Sequence, residues 1–223
     1  AGLFILAGFI AYLWVSLGRP PMRTLGETRL WYGLFLPAVG VVTYQRWRQN
    51  WFAAYSLLMA LLFLGFDYFN PRTFSQTLMP ALQSPWFVPH VIVYIVAYAL
   101  LAGSSLVALR GLWLRYKGKS GLSMLAQGDN LVYLGFAFLT LGLVFGALWA
   151  KQAWGHYWTW DPKETWAFLT WMAYLLYIHY RYRHPKSGQT ALRILAAAFV
   201  VLLVCWLGIN ALPTAANSVH TYG

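Results

Sequence analysis

Seven apolar runs, at about 3–17, 30–45, 51–69, 89–109, 130–149, 165–180 and 191–212, divide this chain, and a helix of roughly 17–25 such residues crosses the hydrocarbon core of a bilayer. In lipid the backbone must satisfy its own hydrogen bonds, so helices are the default. The expected fold is therefore an all-α integral membrane protein, a polytopic bundle of about seven transmembrane helices. Charge supports this class: only 9% of the 223 residues are charged, against roughly 25% in soluble domains. No stretch resembles a soluble domain, so residues 1–223 read as one membrane-embedded unit. The chain starts at Ala1, already apolar and too uncharged for a signal peptide, which fits a processed chain or a missing upstream segment.

The formal net charge of +11 suggests nucleic acid at first sight. In a membrane protein, cationic loops are more simply the positive-inside pattern, so no nucleic-acid partner is expected. Arg46 and Arg48 follow the second run; Arg110, Arg115, Lys117 and Lys119 the fourth; Arg181, Arg183, Lys186 and Arg193 the sixth. These loops are assigned to the cytoplasmic side, and the nearly neutral loops at about 70–88 and 150–164, with the C-terminal tail, to the opposite side. One loop breaks the rule: Arg19, Arg23 and Arg29 sit against only Glu27 where topology predicts the outside. Either the first run is not a plain span or those arginines bind something anionic. Gly142 and Gly146 form a GxxxG, with Gly135 a heptad earlier, predicting a closely packed helix face. The single cysteine, Cys205, excludes disulfide or CxxC chemistry within the chain.

Between the fifth and sixth runs lies Trp154-Gly155-His156-Tyr157-Trp158-Thr159-Trp160-Asp161-Pro162-Lys163-Glu164-Thr165-Trp166. Asp161, Pro162 and Glu164 spell a helix start: N-cap, N1 proline, and the N3 acid of a capping box. An interfacial aromatic belt plus this cap would explain the acids, and with them Trp149 and Trp171. It does not require Trp154, Tyr157, Trp158, Trp160 and Trp166 to cluster, whereas a flat aromatic ligand would. The predicted outer loops and tail also deliver His90, His156 and His220. Interfacial histidines are usually just solvated, but a pair flanking an aromatic platform could equally supply axial imidazoles to haem iron. His179 lies about four turns beyond Glu164, deep toward the cytoplasmic end, and is either an intramembrane functional histidine or one that reaches the interface beside Arg181. His184 reads as solvated loop. No Walker loop, HExxH or paired intramembrane carboxylates occur, and Asp67 and Asp129 sit at segment ends, which argues against a proton-coupled pump.

The tryptophan-rich stretch resembles the WWD signature of haem-handling proteins, and Asp-Pro-Lys-Glu-Thr-Trp is similar to the CcsA (ResC) branch, the membrane subunit of the system II cytochrome c synthase. Pro21–Thr28, Pro80–Trp86 and Val219–Gly223 agree with it. The resemblance implies haem b bound at the outer face of a bacterial cytoplasmic or thylakoid membrane, with His90 and His220 on external iron. It further implies that Trp154, Trp158, Trp160, Asp161 and Trp166 hold the ring, with His179 at an internal haem site. The family places a second membrane histidine upstream or in a partner; none is found here, and no family role transfers to His156. The implied activity is support of thioether attachment of haem to the CxxCH motif of apocytochrome c. The implied partners are a CcsB/ResB-type membrane subunit, the apocytochrome and a thiol-reducing thioredoxin-like protein. Two alternatives compete: a haem exporter or chaperone that forms no bond, as in the related CcmC proteins, and a b-type electron-transfer cytochrome.

Overall fold

The computed structural model of the chain describes residues 2–48, 50–74 and 84–208. Seven α-helices fall on the seven apolar runs: α1 (Gly2–Leu17), α2 (Leu25–Trp47), α3 (Asn50–Phe69), α4 (Phe87–Tyr116), α5 (Leu125–Trp154), α6 (Pro162–Arg183) and α7 (Gly188–Leu203), the last continued by a π-helical turn, Val204–Gly208. No strand occurs among the described residues. Four helices are long and apolar enough to cross a membrane, within Asn50–Phe69, Phe87–Tyr116, Leu122–Trp154 and Gly188–Trp206. The protein is therefore an integral membrane protein by the length and composition of these spans. Of the remaining three, α1 is apolar but has 16 residues. Helices α2 and α6 carry Glu27, Arg29 and Arg46, and Lys163, Glu164, Arg181 and Arg183 respectively.

Glycines set how closely the helices approach. α4 and α5 run antiparallel, and a Cβ at Gly135 would lie 2.8 Å from the Leu101 side chain, while one at Gly142 would lie 2.7 Å from the Tyr94 ring. Midway along α4, a Cβ at Gly103 would lie 2.7 Å from the ring of Phe52 of α3. The expected close-packed face around the GxxxG is thus present, and its occupants are specific side chains rather than a generic smooth helix. The main core lies among α4, α5, α6 and α7, with Leu101, Leu139, Tyr174, Tyr177, Leu192 and Leu195 buried.

Successive helices alternate in direction, so one end of the bundle gathers residues 18–24, 70–74, 84–86 and 155–161, and the other gathers 48, 117–121 and 184–187. The first is termed the aromatic end and the second the basic end. The outlying arginines at the aromatic end have partners in the chain itself. Glu27 takes a two-pronged contact from Arg19 at 2.7 and 2.9 Å, accepts the Arg23 backbone N–H at 2.6 Å, and closes a capping box with Thr24. Arg29 reaches Asp67 at 3.3 Å. Two of the three positive charges are therefore neutralised internally, which removes most of the conflict with the positive-inside rule.

At the basic end Asp129 of α5 clamps α6: Arg181 donates from Nε and Nη2 at 3.0 and 2.8 Å, and the Tyr177 hydroxyl donates at 2.6 Å. The pair is mostly shielded from solvent, so removing the anion leaves a poorly solvated guanidinium. Asp129→Ala is expected to destabilise the bundle by about 2 kcal/mol, below the 3–5 kcal/mol of a fully buried pair. A thermal midpoint unchanged from wild type would refute this account of the clamp.

Candidate functional site

α4 begins at the aromatic end with Trp86 as N-cap and Phe87 as its first residue. Ser84 fixes this start by accepting the Trp86 N–H at 3.2 Å and donating to Gln152 of α5 at 2.8 Å. The helix begins between Pro85 and Pro89, so Pro89 falls in its first turn. His90 follows at once, half-buried, facing α5.

Its seat is made of glycine backbone. His90 Nδ1 lies 2.9 Å from the carbonyl oxygen of Gly142. A carbonyl oxygen only accepts, so Nδ1 carries the proton and Nε2 holds the lone pair of the neutral ring. The ring also covers Gly146, where a Cβ would come within 2.8 Å of Cε1 and 2.9 Å of Nδ1. Tyr94 meets it edge-on at 4.7 Å and Trp149 lies at 5.3 Å. Trp149 in turn packs on Phe87 at 5.2 Å and Trp154 at 5.0 Å. The belt assignment for Trp149 is corrected here: it is only 3% exposed and lies in the wall of the histidine seat. Its position three residues after Gly146, on the same helix face, is the signal that would have found it.

α5 ends at Trp154 with Gly155 in the left-handed region, at φ 85°, which any other residue would occupy at a cost. His156 and Tyr157 are exposed, and Lys151 holds the turn by donating to the Gly155 carbonyl at 2.8 Å while lying 5.4 Å from the Tyr157 ring centre. The expected capping box is present: Asp161 accepts the Lys163 N–H at 2.9 Å, and Glu164 accepts those of Asp161 at 3.2 Å and Thr159 at 2.8 Å. Both acids of the stretch are thereby explained by architecture. Trp158 and Trp160 meet at right angles, 5.7 Å apart, and Trp160 continues edge-on to Phe168. Phe168 stacks toward Trp171, whose indole N–H donates to Thr140 of α5 at 2.9 Å. Trp166 is half-buried in the first turn of α6.

The stretch thus presents two aromatic groups at one end of the bundle, one around His90, Trp149 and Trp154 and one around Trp158, Trp160 and Phe168. Trp160 is 63% exposed, yet its backbone sits at φ 60°, a region disfavoured for a bulky residue at about 1–3 kcal/mol. Trp160→Gly should leave stability within about 1 kcal/mol of wild type, because relieved strain offsets lost ring contacts and added chain entropy. The same change should lower retention of a bound aromatic ligand severalfold, measured by absorbance after purification.

His179 is exposed on the outer surface of α6, one turn before Arg183, in line with exposed Leu169, Met172 and Leu176. It is not brought near His90. His184 caps α6, and its ring lies tilted against Tyr180 at 4.8 Å. His220 lies outside the described residues, as do residues 75–83.

Comparison with known proteins identifies relatives of the chain. The family model described as cytochrome C assembly protein matches residues 26–215. The cytochrome c biogenesis protein CcsA of Chlamydomonas reinhardtii is 35% identical, over 94% of this chain and 63% of its own length. Those of Solanum bulbocastanum and Nymphaea alba are 31% and 28% identical, each over 99% of this chain and 82% of its own length.

Proposed function

The chain belongs to the cytochrome c assembly protein family, and from that premise we propose that it binds haem b at its aromatic end and supports thioether attachment to the CxxCH motif of apocytochrome c. One observation carries the reading: His90 donates Nδ1–H to the Gly142 carbonyl at 2.9 Å. Metal-binding histidines are commonly oriented by such a bond, which fixes the tautomer and leaves Nε2 for the metal. The residues suit the cargo. An imidazole of set tautomer stands beside Trp149, and the exposed faces of Tyr157 and Trp160 offer apolar area to a porphyrin.

In this reading His90 and His220 hold the iron, and Trp154, Trp158, Trp160 and Trp166 hold and orient the ring, with Asp161 fixing the helix that carries them. Haem, once bound, supplies the vinyl groups to which the cysteine thiols add. Each addition forms one C–S bond and returns the thiol proton to the vinyl terminus, so no net oxidation accompanies it. The apocytochrome thiols must nevertheless arrive reduced. Cys205 is buried and has no second cysteine in the chain, so a separate thioredoxin-like reductant has that task.

The same reading makes α1, α2 and α6 spans, for seven in all, and turns the aromatic end to the periplasm or thylakoid lumen. It also calls for a CcsB/ResB-type subunit against α6. A histidine in a lipid-facing row with Leu169, Met172 and Leu176 is costly to leave uncovered, and a partner that covers it could complete an internal haem site with His179. The test is co-expression with that subunit and an apocytochrome bearing CxxCH, followed by haem staining of the denatured cytochrome. Haem on the protein with covalent haem on the cytochrome supports the proposal. Haem without a covalent product reduces the function to delivery, and no haem on either refutes it.

A further inference from the structure

We propose that a cleft at the basic end, between the first turn of α3 and the last turns of α4, binds one anionic phospholipid with its phosphate on Arg110. The cleft measures about 350 Å³ and is lined by Trp51, Leu109, Arg110 and Trp113. The Arg110 guanidinium carbon lies 4.8 Å from the Trp51 ring centre. Stacking engages the flat face of a guanidinium and leaves its in-plane N–H groups for a phosphate. Among the described residues those donors have no anion, since the side-chain carboxylates of all five acids are placed elsewhere. Glu27, Asp67 and Asp129 pair with Arg19, Arg29 and Arg181, and Asp161 and Glu164 form the cap of α6.

Depth and surroundings favour a lipid over a soluble anion. Arg110 lies six residues before Tyr116, the end of α4, or about 9 Å along the axis, the level of a phospholipid headgroup in a helix that spans the bilayer. Leu109 and Trp113, 48% and 53% exposed, flank it on the bundle surface. They give an acyl chain apolar contact that inorganic phosphate cannot use. Arg48 and Arg115 stand at the same end and add attraction for an anionic leaflet. An aromatic belt would account for the tryptophans alone. It would not account for a cation stacked, held in place and left without a counter-ion among the described residues.

The proposal is tested by native mass spectrometry on the delipidated full chain, titrated with phosphatidylglycerol or phosphatidylcholine of identical acyl chains. Wild type is expected to retain phosphatidylglycerol preferentially, and Arg110→Gln to weaken that retention by about fivefold or more, with unchanged helical circular dichroism. Lys119→Gln, a loop cation, should change it by less than about twofold. If Arg110→Gln does not fold, Arg110→Lys serves in its place. It keeps the charge, loses the planar fork, and should still weaken retention measurably. Equal retention of the two lipids by wild type would overturn the proposal. So would a loss at Lys119→Gln matching that at Arg110, wild-type retention by the arginine variants, or displacement of the lipid by inorganic phosphate.

Discussion

His90→Gly is expected to lower the haem that co-purifies with the protein by more than about tenfold, a floor set by what losing even an outer partner of a metal ligand costs. Added imidazole should restore most of it. The rescue follows from the seat: the Gly142 carbonyl, the open surface of Gly146 and the flank of Trp149 all survive the substitution. Free imidazole can therefore occupy the vacated volume with one N–H directed at the carbonyl and the other nitrogen available to iron. Pyridine haemochrome absorbance per mole of protein is the measurement. Wild-type haem content in the variant would remove His90 from the ligand set, whatever the family resemblance implies.

Gly146→Ala is expected to approach the same loss, about tenfold to a hundredfold in haem retention, without touching a candidate ligand. The added methyl would lie 2.8 Å from Cε1 and 2.9 Å from Nδ1 of His90, inside van der Waals contact. The ring cannot easily yield, because Tyr94 and Trp149 stand on either side at 4.7 and 5.3 Å. Overpacking of this kind costs about 1–3 kcal/mol, and relief requires turning the imidazole away from the Gly142 carbonyl. The control is Gly65→Ala in α3, where nothing lies within 4 Å of the new methyl. That change should leave haem unaffected and stabilise the helix by roughly 0.5–1 kcal/mol. Helical circular dichroism separates loss of the seat from loss of the fold, and equal haem content in both glycine variants would refute the seat.

The sequence made the helices legible because hydropathy and capping are local. Seven apolar runs became seven helices, and Asp161 with Glu164 could be read as a cap from four adjacent letters. What was illegible is tertiary. Gly142 and Gly146 announced close packing but not its occupant, since a gap in one helix says nothing of the side chain that fills it. Trp149 read as belt because a tryptophan near a span end usually is; only the approach of α4 turns it inward. The arginines of the first loop looked unpaired because one of their acids, Asp67, lies 38 residues from Arg29. His90 was legible as a candidate through its aromatic context, whereas its tautomer needed the Gly142 carbonyl.

The histidine seat also bears on how the protein should respond to heat. A ligand held by side-chain neighbours can loosen as rotamers soften, well before a domain melts. Here the rings of Tyr94 and Trp149 are backed by a helix carbonyl and bare helix surface, and these backbone groups persist until α5 itself unwinds. Release of haem on warming should therefore coincide with the loss of helical signal rather than precede it, giving one sigmoid by two probes.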